Sequence, residues 1–486
     1  MQQLSHTLLR NSGAGLAAQV AIKLLSFAFS VLIVRHLGVE VYGQYAAVLA
    51  FGGMFVFIAD LGLAPYAVRQ VARWRDVPGG LELTKGLYAD VLVLRIVLAV
   101  VAAILLVAAA WLSGRPPVMI GAIALGAVGL VMYGVEGASE SMLAGFERLD
   151  LSSGAKVLQQ AAFVLVGAAT LWLAVGYYGL IVGNLIGIAL LTYLCWRAAS
   201  RLGIEPRGVV VRRWPALLRA SVPFGVIGFT LGLSYKFDSV LLNLFRGDAE
   251  TGYYNAAYSL VFSAVVLSNV LNTALYPSLT RQATVAPLLL PSIYERALRY
   301  LMVLALPLAA GVWALADPFV RFLFTASYVQ AVPALQIVIW AVPLMFASEF
   351  LGYVVVIAGK EQRVARAVVI STGVNVVLNL VLVPRFGFVA AAVMTVVTEA
   401  VLVGQYVLLL HDQLRRVDLG RSLLRPAIAA LLMGALLRLL PAPLPVAVAL
   451  GAVTYGALLL VLGVAGYDEW RFIRGLRQPA LTVTEG

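Results

Sequence analysis

The sequence predicts an all-α polytopic membrane protein of about 14 transmembrane helices, built as two halves in the same orientation. Three observations carry that prediction. The first is composition. Of 486 residues, 62% are hydrophobic and 12% charged, whereas soluble domains carry about 25% charged residues. The second is the spread of apolar runs along the whole chain, each long enough to cross a hydrocarbon core of about 30 Å. The third is an internal repeat. HLGVEVYGQYAA (36–47) aligns without a gap with FRGDAETGYYNA (245–256) at an offset of 209, matching Gly38 to Gly247, Gly43 to Gly252, Tyr45 to Tyr254 and Ala47 to Ala256.

Taken in order, hydropathy places spans near 14–34, 42–65, 87–112, 118–145, 154–174 and 177–196. A second set follows near 221–245, 252–277, 297–316, 331–358, 364–383 and 388–410, and a last pair near 422–440 and 445–466. The total is 12 to 14, reaching about 14 when 154–174 and 422–440 both count. These spans divide the chain into a six-helix lobe (1–196), a cytoplasmic linker (197–220), a second six-helix lobe (221–411), two extra helices (412–466) and a cytoplasmic tail (467–486).

The formal charge of +12 reads as topology rather than as a nucleic-acid surface. With the N-terminus cytoplasmic, inside loops hold about 26 of the Lys and Arg residues and outside loops about six. Both termini are then expected in the cytoplasm of a plasma-membrane protein, with basic loops meeting anionic lipid. The N-terminal apolar run is too long for a cleaved signal peptide and no small-residue cleavage site follows it. The single cysteine, Cys195, permits no internal disulfide. His6, His36 and His411 are scattered near span ends and suggest no metal site. No loop is long enough for a catalytic domain and no phosphate-binding loop is present, so the expectation is neither an enzyme nor an ATPase, with no cofactor.

Lys23 lies about nine residues into the first span, too deep to snorkel comfortably. Lys236, moved back by the offset of 209, falls one helical turn from Lys23 on the same face. Helix faces equivalent under the repeat point both toward the axis or both away. A lysine pointing away enters lipid or a lobe interior, so both are expected to face a shared central cavity. Gln19 stands one turn before Lys23 on that face, and Arg95 is a further cation inside a span. Among the acids within spans, Glu349 and Glu399 lie near mid-span and, with Asp60 and Asp238, are the candidates for coupling to H⁺ or Na⁺. Asp60 is equivalent to Asn269 in the repeat. Glu136 is expected to neutralise Arg95 within the first lobe. Asp238 shares a face with Thr230 and Ser234 and is also open to bonding inside the second lobe. Asn375 and Asn379 form an i,i+4 polar stripe suited to interhelical hydrogen bonds, and Tyr253, Tyr254 and Tyr258 read as a membrane-interface belt.

ADLGLAPYAVRQVAR (59–73), YKFDSVLLNLFRGDAETGYYNAAYSL (235–260) and FTASYVQAVPALQIVIW (324–340) resemble the signature stretches of Wzx-type polysaccharide flippases. Those belong to the multidrug/oligosaccharidyl-lipid/polysaccharide exporter superfamily, and the resemblance runs from about residue 10 to 466. It implies two six-helix lobes in a V around a cavity that opens alternately to each side, plus two extra helices. It implies as substrate an oligosaccharide on undecaprenyl pyrophosphate, moved from the inner to the outer leaflet. A polysaccharide polymerase complex is a candidate partner, and a monomer is expected. The rivals are a cation-coupled multidrug exporter, a peptidoglycan-precursor flippase and a membrane glycosyltransferase or polymerase.

Overall fold

The computed structural model describes residues 22–285, 290–415 and 423–464. Helix α1 covers 22–37, and Gly38, at φ +73°, lets the chain reverse into α2 (Val39–Asp60). A second break follows at Leu61 and Gly62, both left-handed. The Asp60 carboxylate stabilises it by accepting the free amides of Gly62 and Ala64, both at 3.2 Å. The short helix α3 (Leu63–Trp74) is amphipathic, with Leu63, Ala67 and Val71 at i, i+4 and i+8 buried while its arginines stay on the other side. Its apolar face packs with Tyr88 of α4 (Gly80–Leu112), Met142 of α5 (Pro117–Gly145) and Cys195 of α7 (Tyr177–Arg201). Helix α6 (Leu149–Trp172) lies against α7, where Gly183 approaches the Gly167 backbone.

The second half begins with α8 (Trp214–Phe245), turns at Gly247 (φ +88°) and continues in α9 (Asp248–Val285). Helices α10 (Leu290–Ala314), α11 (Ala316–Leu323), α12 (Val332–Val338) and α13 (Ala341–Ile357) follow. Helix α14 (Glu361–Leu409) carries two of the predicted spans. They meet at Gly387, whose φ 61°, ψ −145° lies outside helical space. Glu250 caps the second part by accepting the Phe388 amide at 3.0 Å. A short α15 (His411–Leu414) leads toward α16 (Arg425–Leu439) and α17 (Leu444–Val461). That final pair rests on α10, with Gly434 against the Ala310 carbonyl and Arg438 4.4 Å above the Trp313 ring.

By length and hydropathy, nine described helices are able to cross a membrane, or eleven if two bent pairs each count as one span. Exposed leucines, valines and tryptophans on α4, α6 and α17 face outward, as lipid-facing surfaces require. The protein is a multi-pass, all-helical membrane protein. The repeat holds at the first turn of each half and fails further on. Gly62 breaks α2, whereas its equivalent, Leu271, lies inside an unbroken α9.

Candidate functional site

A cavity of about 1080 Å³ lies among α1, α2, α8 and α9, the first two helices of each half. Lys23 and Lys236 both line it, and among the described residues no Asp or Glu does. The Lys23 ammonium sits 5.5 Å from the Phe262 ring centroid, a cation–π position. The Lys236 stem lies across Gly53, where an added Cβ would stand 3.2 Å from its Cγ. Neither lysine has a carboxylate partner among the described residues. Tyr45, Tyr235, Tyr258 and Asn255 add hydroxyl and amide groups to the wall. Gln19 lies outside the described residues.

Arg95 does not join them. It is buried at 7% exposure and its guanidinium is fully engaged: with the Asp60 carboxylate, with the Gly134 carbonyl at 3.1 Å and with the Tyr133 carbonyl at 3.3 Å. Its partner is thus Asp60 rather than the expected Glu136, one oxygen of which is buried without a hydrogen bond. The α2–α3 break is the physical reason, because it turns Asp60 toward α4. Asp60 is also one of the candidate coupling carboxylates. Its charge is held by Arg95 and by two backbone amides.

The remaining acids fall into two groups within the second half. Glu349 accepts from Ser268 at 2.6 Å, from Asn269 at 2.8 Å and from Asn272 at 3.4 Å, so it forms a closed polar knot between α13 and α9. Asp238 and Glu399 line a second, smaller pocket with Ser371, Thr372, Asn375 and Thr398. Asp238 accepts from Tyr254 at 2.9 Å and from Asn379 at 2.8 Å, with Thr395 at 3.5 Å. Glu399 accepts from Ser348 at 2.8 Å. The side-chain oxygens of Asn375 and Asn379 are buried without a donor. Asp238, Glu399 and the unpaired amide oxygen of Asn375 give this pocket a set of hard oxygen donors, which suits a small cation or a proton. Tyr235 and Tyr258 line both this pocket and the lysine cavity, forming the wall between them.

Sequence reasoning missed that wall. Tyr254 is 2% exposed and stacks on Tyr258 at 5.6 Å, so neither is an interface anchor. The readable signal was their i,i+4 spacing with Phe262, one stripe along α9. Among the described residues no cluster of three or more His, Cys, Asp or Glu could hold a metal ion.

A family described as "Polysaccharide biosynthesis protein" matches residues 8–282. The chain belongs to this family. It is also similar to the probable low-salt glycan biosynthesis flippase Agl15 of Haloferax volcanii, 23% identical over 180 residues, or 37% of this chain. The match spans only 38% of that relative. Among solved structures, the lipid II flippase MurJ in an inward-closed conformation superposes with TM-score 0.77. That match is 13% identical and covers 97% of this chain and 100% of MurJ. An inward-facing multidrug-resistance MATE transporter of the MOP superfamily superposes with TM-score 0.67 at 13% identity, covering 82% and 98%. The family member therefore has the MOP-superfamily fold, with its cavity between the leading helices of the two halves.

Proposed function

We propose that this family member is a flippase carrying a lipid-linked oligosaccharide, on undecaprenyl pyrophosphate or a similar carrier, from the cytoplasmic to the outer leaflet of the plasma membrane by alternating access. The product serves cell-surface polysaccharide synthesis. The observation that carries this reading is the pair Lys23 and Lys236 in one cavity that, among the described residues, no carboxylate lines. A pyrophosphate cannot enter hydrocarbon unaided, and two ammonium groups replace part of its hydration by charge-assisted hydrogen bonds. Hydroxyls and amides of the wall suit a glycan. The family membership and the flippase names of the relatives support the same reading. A multidrug exporter for cationic compounds fits the lining poorly, because its charged groups are two lysines and, among the described residues, no carboxylate balances them.

The two halves act as rocking lobes joined by the basic 197–220 segment, which keeps the termini cytoplasmic. Asp238 with Asn375, Asn379 and Thr395, and Glu399 beside them, supply the site for a coupling Na⁺ or H⁺.

The test is translocation of a labelled lipid-linked oligosaccharide in vesicles. Lys23→Ala and Lys236→Ala are each expected to slow it, and the double variant to reduce it at least about tenfold, the loss expected when a charge-assisted contact disappears. A normal rate in the double variant would overturn the assignment. Competition by lipid II against a sugar-bearing polyprenyl pyrophosphate separates the glycan reading from a peptidoglycan-precursor one.

A further inference from the structure

Each lysine of the cavity rests on the other half of the molecule. The Lys23 ammonium, on α1, lies 5.5 Å from the ring centroid of Phe262, on α9. The Lys236 stem, on α8, lies along Gly53 of α2, where an added Cβ would stand 3.2 Å from its Cγ, 3.3 Å from its Cε and 3.5 Å from its Cδ. Gly53 and Phe262 are themselves equivalent under the offset of 209. Both lie beyond the matched Ala47 and Ala256 on the same uninterrupted helices, and Gly53 comes before the bend at Leu61. In both halves, therefore, this one position of the repeat bears the lysine of the opposite half.

The two seats work differently. A ring attracts a cation through its quadrupole yet carries no net charge. It steadies the Lys23 ammonium on one side and leaves N–H bonds on the other side for an anion. A carboxylate in the same place would repel a phosphate. The Phe262 ring is itself braced by Tyr235, edge-on at 6.2 Å, and by Tyr258 at 6.3 Å. At Gly53 the missing side chain lets the lysine stem lie directly on the helix backbone. Even a methyl group there would crowd Cγ and Cε, so the stem would have to lift. Each lysine is thus held by apolar surface, and its ammonium stays available to a ligand.

We propose that Gly53 and Phe262 are positioning residues that hold the two ammoniums as one receptor for the adjoining phosphates of a diphosphate head group. They thereby set a preference for a polyprenyl diphosphate over a polyprenyl monophosphate. The inference rests on the flippase reading above and names the specificity of its site. Ordering two long, flexible side chains at the moment of binding costs affinity, and seats that order them beforehand remove that cost. A monophosphate needs only one ammonium, so it gains less from the pair. A diphosphate meets both, and draws on both seats.

Two measurements test this, and the first needs no substrate. Reductive ¹³C-methylation keeps the charge of the five lysines and gives few NMR signals, that of Lys23 being the one lost in Lys23→Arg. Its place over the Phe262 ring is expected to move this signal upfield. Phe262→Leu is expected to return it to the position of a solvent-exposed lysine, and Phe262→Trp to retain the shift. An unchanged signal in Phe262→Leu would overturn the seat. The second measurement titrates the thermal stability of the purified protein with undecaprenyl diphosphate and with undecaprenyl monophosphate. Phe262→Leu and Gly53→Ala, both good helix formers, are each expected to weaken diphosphate binding about fivefold, the cost of leaving one long side chain unordered. Monophosphate binding is expected to change by less than about twofold, and Phe262→Trp to bind as the parent does. Equal losses for the two lipids, or none for either, would overturn the positioning role. A parent protein that binds neither lipid would overturn the flippase reading and the specificity with it, while the Lys23 signal would still report the seat.

Discussion

Single residues divide here by whether their charge is already answered. Arg95 and Asp60 answer each other inside the first half, so they serve the fold. Arg95→Ala is expected to lower stability by about 3 kcal/mol, the cost of leaving a buried carboxylate unpaired, as a reduced unfolding midpoint in detergent. Asp238 differs in that its donors are a tyrosine, an asparagine and a threonine rather than a cation. Asp238→Asn is expected to remove the dependence of transport on a Na⁺ or pH gradient while leaving substrate-induced thermal stabilisation in place. Flux measured with and without each gradient checks it, and gradient dependence retained in full would remove Asp238 from coupling. How legible these roles were depended on distance along the chain. Lys23 and Lys236 could be paired through the repeat. Nothing local distinguished Asp60 from Glu136 as the partner of Arg95, because a bend at Leu61 and Gly62 decided it.

At the level of elements, two breaks set the architecture, and each rests on a glycine in a backbone conformation that other residues adopt only at a cost. Gly62 combines φ +79° with a position where a Cβ would come within 2.4 Å of the Ser221 carbonyl and the Gly225 nitrogen of α8. Gly387 divides α14 and leaves no room beside the Glu250 carboxylate, which would be 2.0 Å from a Cβ. Gly387→Ala is expected to destabilise the protein by about 2 kcal/mol from backbone strain, with the displaced Glu250 cap adding to it. Thermal unfolding of the purified protein measures that. An unchanged midpoint would mean the two parts of α14 do not need this conformation. Helix α9 supplies the complementary case. Its unbroken stripe of Tyr254, Tyr258 and Phe262 runs from the acidic pocket to the ring under Lys23. Tyr258→Ala is therefore expected to weaken the effect of a Na⁺ or pH gradient on substrate affinity more than the affinity itself, read by titrating substrate with and without the gradient.

For the whole molecule, the two lysines belong to different halves and to one cavity, so their charge acts on whatever bridges the halves. Replacing both by glutamate, as Lys23→Glu with Lys236→Glu, reverses the sign of the cavity without altering a helix core. The variant is expected to keep its fold by circular dichroism and to lose thermal stabilisation by a polyprenyl pyrophosphate. Stabilisation equal to that of the parent would place the pyrophosphate elsewhere. The bonds from Gln44 to Asp248 and from Arg115 to Asn243 at one end, and the packing of Phe57 against Gly228 and Gly232 near the other, bracket the same cavity. Rocking about it therefore exchanges one closed end for the other.

The sequence by itself determined the membrane class, the order of the apolar segments, the parallel repeat and the family resemblance. All four are written in composition, hydropathy and local motifs, which need no knowledge of distant neighbours. It also determined that the lysines occupy equivalent faces, since helical spacing converts residue number into direction. Tertiary structure alone decided which carboxylate answers Arg95, that Tyr235 and Tyr258 separate two cavities, and that each cavity lysine rests on the other half. Those facts depend on contacts between residues far apart in the chain. Such contacts are fixed by where helices bend and cross, and hydropathy does not encode the sharp breaks at Gly62 and Gly387 that position them.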